Sequence, residues 1–196
     1  MKSIFLLSIL LSLALFSGCA GNSELIKTCG KNMRGDVFRE VSDQSPVPNG
    51  YADLLVVSSL KTHRPGYHHS DDAHGTSEYR LLINIDGQAA VIPGKLVEES
   101  IEPRKLGDPE AGEGIRYGFG KHLRLKAGMH NLVIALPDDN VAVAREITLV
   151  GGSVNRLAVE PVYGTKRSGG RMTMGVDKDY KEGIKGFQLI LNGKAL

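Results

Sequence analysis

Apolar and polar positions alternate along most of the chain after residue 50. The clearest example covers residues 78–86, where Tyr79, Leu81, Ile83 and Ile85 fall on one side. Successive side chains of a strand point to opposite faces, so this period of two predicts a strand with one buried face. Similar apolar stretches predict strands over residues 52–60, 88–92, 116–125, 129–136, 141–150, 155–162 and 187–191.

Turn-forming residues separate these strands at intervals of about ten residues. Asp86 and Gly87 predict a tight hairpin, because this pair favours the left-handed backbone of a two-residue turn. Gly128 and Gly152 mark two later turns, and we expect a positive φ at Gly128. The spacing predicts an all-β fold, an antiparallel immunoglobulin-like sandwich of about seven or eight strands with long loops.

Two segments lack this alternation. Residues 96–114 are rich in Glu, Pro and Gly, and they predict a long connection with a short helix near residues 96–101. Residues 164–186 are rich in Gly, Lys and Arg, but acidic residues dilute the charge, so we expect a solvated loop.

The first residues of the chain have the pattern of a signal peptide. Lys2 precedes an apolar run over residues 4–16, which is shorter than the about 20 residues of a membrane-spanning helix. Ser17 and Gly18 then stand before Cys19. These small residues before a cysteine resemble the lipobox of bacterial lipoproteins, although Phe16 stands where that family prefers Leu.

The lipobox resemblance implies a domain organisation and a location. Residues 1–18 are then a cleaved signal peptide, residues 19–50 a lipidated tether that begins at Cys19, and residues 51–196 the β-sandwich domain. The lipid on Cys19 would anchor the protein to a membrane of the cell envelope. Ala20 follows the cysteine in place of Asp, which in this family favours the outer membrane, with the domain facing the periplasm.

A second resemblance involves residues 83–88, 125–132 and 147–152. Their turn residues, at similar offsets, resemble those of the PEGA-type domain, over about residues 79–162. The chain departs from that pattern at residues 126–128 and by an insertion at residues 94–115. The resemblance implies a non-catalytic binding or accessory role toward an unknown envelope protein or glycan.

Composition and motifs exclude several other functions. Lys and Arg number 24 against 22 Asp and Glu, so no strong charge favours nucleic acid as a partner. No Gly-Lys-Ser/Thr phosphate loop and no Gly-x-Ser-x-Gly nucleophile motif occurs. We therefore predict that the protein is not an enzyme.

Histidines concentrate between residues 63 and 74. His63, His68, His69 and His74 lie there together with Asp72. Imidazole and carboxylate groups are ligands for zinc, copper or nickel, but the spacing matches no zinc signature. We therefore favour a solvated loop without a cofactor. The alternative is a periplasmic metal-binding protein that uses the His63–His74 loop, with a weak divalent-metal site of His63, His69, Asp72 and His74. Ordering a mobile loop costs entropy, so we expect an affinity no better than about micromolar.

Overall fold

The computed structural model describes residues 17–42, 45–65, 72–103, 107–165 and 178–196, with residues 17–20 described by their backbone only. This part of the chain contains one helix, eleven strands and two short 3₁₀ turns. The helix is α1 (Ser17–Gly30) and the turns are Pro137–Asp139 and Tyr180–Glu182. The strands are β1 (Phe38–Glu40), β2 (Tyr51–Thr62), β3 (Arg80–Ile85), β4 (Gln88–Pro93), β5 (Lys95–Ile101), β6 (Gly112–Lys126), β7 (Gly128–Leu136), β8 (Val141–Leu149), β9 (Val154–Tyr163), β10 (Ile184–Leu191) and β11 (Lys194–Ala195).

The strands form two sheets that pack face to face. The larger sheet has seven strands in the order β1-β6-β2-β9-β10-β11, with β5 also paired to β6. The smaller sheet has four strands in the order β4-β3-β7-β8. Among the described residues every strand pair is antiparallel except β2 with β9, which is parallel. The prediction of an all-β sandwich is confirmed.

The core lies between the two sheets. Leu81, Ile83 and Ile85 of β3 are fully buried, as are Leu54 and Leu123 from the larger sheet. Burial of each such side chain contributes about 1.5–3 kcal/mol relative to exposure. The apolar positions of the alternating pattern therefore supply the main stabilisation of the sandwich.

The sandwich contains more strands than we expected. β5 occupies the first part of the predicted connection, where a short helix was expected, and pairs with β6 from Lys95 opposite Gly118 to Ile101 opposite Gly112. This pairing satisfies backbone groups at an edge of β6 that would otherwise face solvent. The prediction of a helix here was wrong, because pairing with a distant strand outweighs the local composition.

Helix α1 packs on the outer face of the smaller sheet, within the segment predicted to be a tether. Asn84 of β3 donates from Nδ2 to the carbonyls of Thr28, Cys29 and Lys31 at 3.4, 3.4 and 3.1 Å. Ala135, on the same face of the sheet, is fully buried. Part of residues 19–50 is therefore ordered against the sandwich, and β1 adds a further strand beside β6.

The helix also has a defined direction along the sandwich. We call the end with the carboxyl end of β2 and the Pro137–Asp139 turn the upper end, and the end with the β3–β4 turn the lower end. Asn22 Nδ2, near the start of α1, donates to Asn140 O at 3.2 Å at the upper end. After the helix, Met33 N donates to Gly87 O at 2.9 Å at the lower end.

The turn residues singled out in the sequence lie at the lower end. Asp86 and Gly87 have φ of 48° and 91° and connect β3 with β4. Gly128 has a φ of 133° at the start of β7, and Gly152 has a φ of 74° between β8 and β9. A side chain at such angles is strained, so glycine suits both later positions.

Candidate metal centre

Three of the four predicted metal ligands meet at the upper end of the sandwich. One ligand atom from each of His63, Asp72 and His74 can be chosen so that all three lie within 4.8 Å of one another. His63 Nε2 is 3.0 Å from Asp72 Oδ2, and His74 Nδ1 is 2.5 Å from Asp72 Oδ1. The Asp72 carboxylate thus lies between two imidazoles.

The local fold brings these residues together from two sides. His63 directly follows the last residue of β2, and Asp72 accepts from the backbone N–H of His74 at 3.0 Å through Oδ1. Gly75 has a φ of 78°, and an added Cβ there would lie 2.5 Å from Cδ of Pro65. Pro65 and Gly75, on the two sides of the loop, are therefore in close proximity.

Asp139 and Tyr79 form a second layer behind His74. His74 Nε2 is 3.3 Å from Asp139 Oδ2, and the Tyr79 hydroxyl donates to the same oxygen at 2.5 Å. In metalloproteins a ligating histidine commonly donates its other N–H to a carboxylate, which fixes the ring orientation. His74 is therefore arranged to bind a metal through Nδ1 while Nε2 faces Asp139.

Aromatic rings close the site from the core side. The ring centroids of His63 and His74 are 4.7 Å apart, those of His74 and Tyr79 are 4.9 Å apart, and those of Tyr79 and Tyr117 are 4.5 Å apart. Tyr79 and Tyr117 are fully buried, whereas the His63 side chain is 41% exposed. A small solute can therefore reach the site from the side of His63.

The electrostatics of the site favour an ionised carboxylate. Burial raises the pKa of Asp72, but hydrogen bonds from the His74 backbone and from His63 outweigh it, and this pKa lies below its ordinary value. Burial lowers the pKa of His74, but Asp139 and Asp72 stabilise the imidazolium and raise it above its ordinary value. A metal ion would therefore meet a charged oxygen ligand and would compete with a proton at His74.

Two imidazoles and one carboxylate form a donor set that suits zinc, copper or nickel. Zinc usually has four ligands, so water or one more side chain would complete the set. The same hydrogen bonds also connect the loop to the sandwich when no metal is bound.

The fourth predicted ligand, His69, lies outside the described residues, as do His68 and Asp71. Sequence reasoning missed Asp139 and Tyr79 as second-layer residues. The only local signal was the acidic pair that follows Pro137, and Asp139 is 65 positions from His74. Tyr79 was predicted only as a core residue of a strand.

The other two histidines that the structure describes form separate pairs with carboxylates. His122 Nε2 is 3.0 Å from Asp53 Oδ2 on the outer face of the larger sheet, where Arg124 also binds Asp53 at 2.6 Å. The hydrogen bond from Arg124, with help from His122, holds the pKa of Asp53 below its ordinary value against the effect of burial. His130 is buried at the lower end, with Nδ1 2.7 Å from Asp86 Oδ2. We assign structural roles to both pairs.

The outer face of the larger sheet carries a cleft of about 590 Å³. Val57 and Ala158 are among its apolar residues, and Arg156 is among its polar ones. Arg116 also lines the cleft, and its guanidinium is already ion-paired with Glu99 and Glu110 at 2.7 and 2.8 Å. The cleft thus offers charged, polar and apolar side chains to a small ligand.

Cys19, the predicted lipid site, lies in the first turns of α1, and its side chain is outside what the structure describes. Among the described residues, no helix has both the length and the apolar character needed to cross a membrane.

Comparison of the chain with protein-family models, with curated proteins and with solved structures found no match. The resemblances to bacterial lipoproteins and to the PEGA-type domain therefore stay predictions.

Proposed function

We propose that this protein is a lipid-anchored protein of the bacterial cell envelope whose β-sandwich binds a divalent transition-metal ion. The observation that carries the metal-binding role is the convergence of His63, Asp72 and His74, whose ligand atoms fit within 4.8 Å. The anchor on Cys19, and with it the periplasmic location, is supported by the lipobox pattern of the sequence.

The geometry supports a metal-binding role better than it supports a solvated loop without a function. Three ligands are held by hydrogen bonds in a partly buried pocket, and the Asp72 and His74 side chains are only 16% and 13% exposed. Little conformational entropy of these three side chains is then lost on binding, because they are already close together. We therefore expect zinc to bind at micromolar concentration or below, which corresponds to about −8 kcal/mol or better.

A titration of the mature protein tests this function. The protein is purified in non-ionic detergent, stripped of metal with a chelator, and titrated with zinc in a calorimeter. Copper(II) provides a second readout, because the chain has six Tyr and no Trp, and Tyr79 lies 4.9 Å from His74 between ring centroids. One ion should bind per chain, and copper should quench tyrosine fluorescence.

Matched histidine variants distinguish the site from nonspecific binding. His74→Ala should remove the saturable binding, whereas His122→Ala should keep it, because His122 pairs with Asp53 outside the site. His69→Ala tests the predicted fourth ligand. Equal zinc binding by the wild type, His74→Ala and His122→Ala would contradict the proposed site.

The cleft on the larger sheet favours a second role, the binding of an envelope glycan or protein. Arg156 and Gln188 offer polar groups beside apolar Ala158, a combination that suits a polar ligand with some apolar surface. A titration with soluble peptidoglycan fragments, followed by NMR of labelled protein, tests this role. Shifts confined to these residues and reduced in Arg156→Ala would support it, and unchanged spectra would count against glycan binding there.

A further inference from the structure

The start of helix α1 and the candidate metal centre lie at the same end of the sandwich. Asn22 Nδ2 donates to the backbone carbonyl of Asn140 at 3.2 Å. The neighbouring residue in the chain, Asp139, contacts His74 Nε2 at 3.3 Å. The start of α1 is therefore connected to the second layer of the metal centre through a single residue, Asn140.

Cys19 lies only three residues before Asn22, which makes this contact. Both Cys19 and Asn22 belong to α1, and a helix rises about 1.5 Å per residue, so the three steps between them span only about 4.5 Å. Further along, the buried Cys29 and the hydrogen bonds from Asn84 attach the helix to the smaller sheet. A lipid on Cys19 would thus be attached to an ordered helix and not to a flexible tether.

We propose that the lipid on Cys19 seats the upper end of the sandwich against the lipid surface, so that the His63–Asp72–His74 centre faces the bilayer. This inference rests on the proposed lipidation of Cys19. The lower end, with the Asp86–Gly87 turn, then points away from the membrane. A protein that delivers metal to this centre or accepts metal from it must then act close to the membrane plane.

The dimensions of the sandwich make this orientation measurable. β6 has 15 residues and runs between the two ends, and at about 3.3 Å per residue it spans about 50 Å. Fluorophores at opposite ends would differ in their distance from the bilayer by several nanometres. A nitroxide on a lipid headgroup quenches only fluorophores that lie near it.

The test places one label at each end of the full lipidated protein in phosphatidylcholine vesicles that contain headgroup-nitroxide lipid. Ser77→Cys provides the upper position and Val150→Cys the lower one, and both residues are exposed. The native Cys29 should not compete for the label, because it is fully buried and burial raises the pKa of its thiol to about 12. We expect the label at position 77 to be quenched at least threefold more than the label at position 150.

A control variant tests the rigid attachment directly. Insertion of about ten Gly and Ser residues after Cys19 should make quenching at the two positions nearly equal, because such a linker behaves as a flexible coil. Equal quenching of both labels without the insertion, or stronger quenching at position 150, would overturn the orientation.

Failure of the proposed function can be told apart from failure of the orientation. Mass spectrometry of the same samples reports the acyl groups on Cys19, and an unmodified Cys19 would overturn both the anchor and this inference. Zinc titration of the unlabelled protein reports the metal centre whatever the orientation.

Discussion

At the scale of single residues, Asp72 and Asp139 have different roles. Asp72 contacts both imidazoles directly, while Asp139 lies behind His74 and also accepts from Tyr79. Asp72 is therefore the expected metal ligand, and Asp139 is a positioning residue that acts through the orientation of the His74 ring. The sequence suggested the first role, because Asp72 lies among the histidines, but it had no local signal for the second.

The Asp139→Asn variant tests the positioning role. It keeps the shape of the side chain but removes the charge that orients His74, and such partners typically contribute 10- to 100-fold to metal affinity. We expect zinc affinity to fall within about that range while binding of one ion per chain is retained. Asp36→Asn, at an exposed position whose carboxylate pairs with Arg34 away from the site, is the matched control and should bind zinc like the wild type.

Gly75 provides a second test at this scale. Gly75→Ala places a Cβ 2.5 Å from Pro65 Cδ at a φ of 78°, so we expect a loss of stability of about 1–3 kcal/mol and weaker zinc binding. Gly152→Ala is the control, because Gly152 has a similar φ of 74° but no atom within 4 Å of the added Cβ. Denaturant unfolding should rank Gly75→Ala as the more destabilising change.

The buried ion pair on the larger sheet allows a prediction about stability and pH. Asp53 and Arg124 are 2% and 3% exposed, and replacement of Asp53 by Asn removes a carboxylate that binds the buried Arg124 guanidinium. Asp53→Asn should therefore destabilise the fold by about 3 kcal/mol at neutral pH. The pKa of Asp53 is lowered in the folded protein, so the unfolded chain takes up this proton first as the pH falls. The difference in unfolding free energy between the wild type and Asp53→Asn should have its full size above about pH 4 and should shrink at lower pH.

At the scale of elements, the alternation of apolar residues predicted the strands that face the core. This worked for β3 and β7 because one face of each strand is buried against the opposite sheet. The alternation did not predict β5 or α1. β5 is an edge strand and α1 is a surface helix, and both form because distant strands offer them a free edge or an outer face. The local density of histidines indicated the candidate metal ligands, but only the fold brings Asp139 to them.

The docking of α1 can be tested through its cysteine. Cys29 is fully buried between the helix and the smaller sheet, and burial raises its pKa to about 12. The thiol should therefore react with iodoacetamide at least a hundredfold more slowly in the folded protein than in denaturant, because the thiolate is the reactive form. Rapid alkylation under native conditions would mean that α1 does not stay packed on the sheet.

At the scale of the whole molecule, the two ends of the sandwich carry different features, and α1 runs from the upper end toward the lower one. The upper end combines the candidate metal centre, the Pro137–Asp139 turn and the start of the helix. The lower end contains the β3–β4 turn with Asp86 and Gly87. Anchoring and metal binding would thus share one end, and the opposite end would point away from the membrane.

His63, Asp72 and His74 are proposed to bind one metal ion together. X-ray absorption spectroscopy of the zinc-loaded mature protein tests it most directly, because the spectrum reports the ligand atoms themselves. We expect nitrogen and oxygen ligands at about 2.0–2.1 Å with the outer-shell signal of two imidazoles, and loss of that signal in His74→Ala. A sulfur ligand at about 2.3 Å, or a shell of oxygen atoms without imidazole, would contradict it.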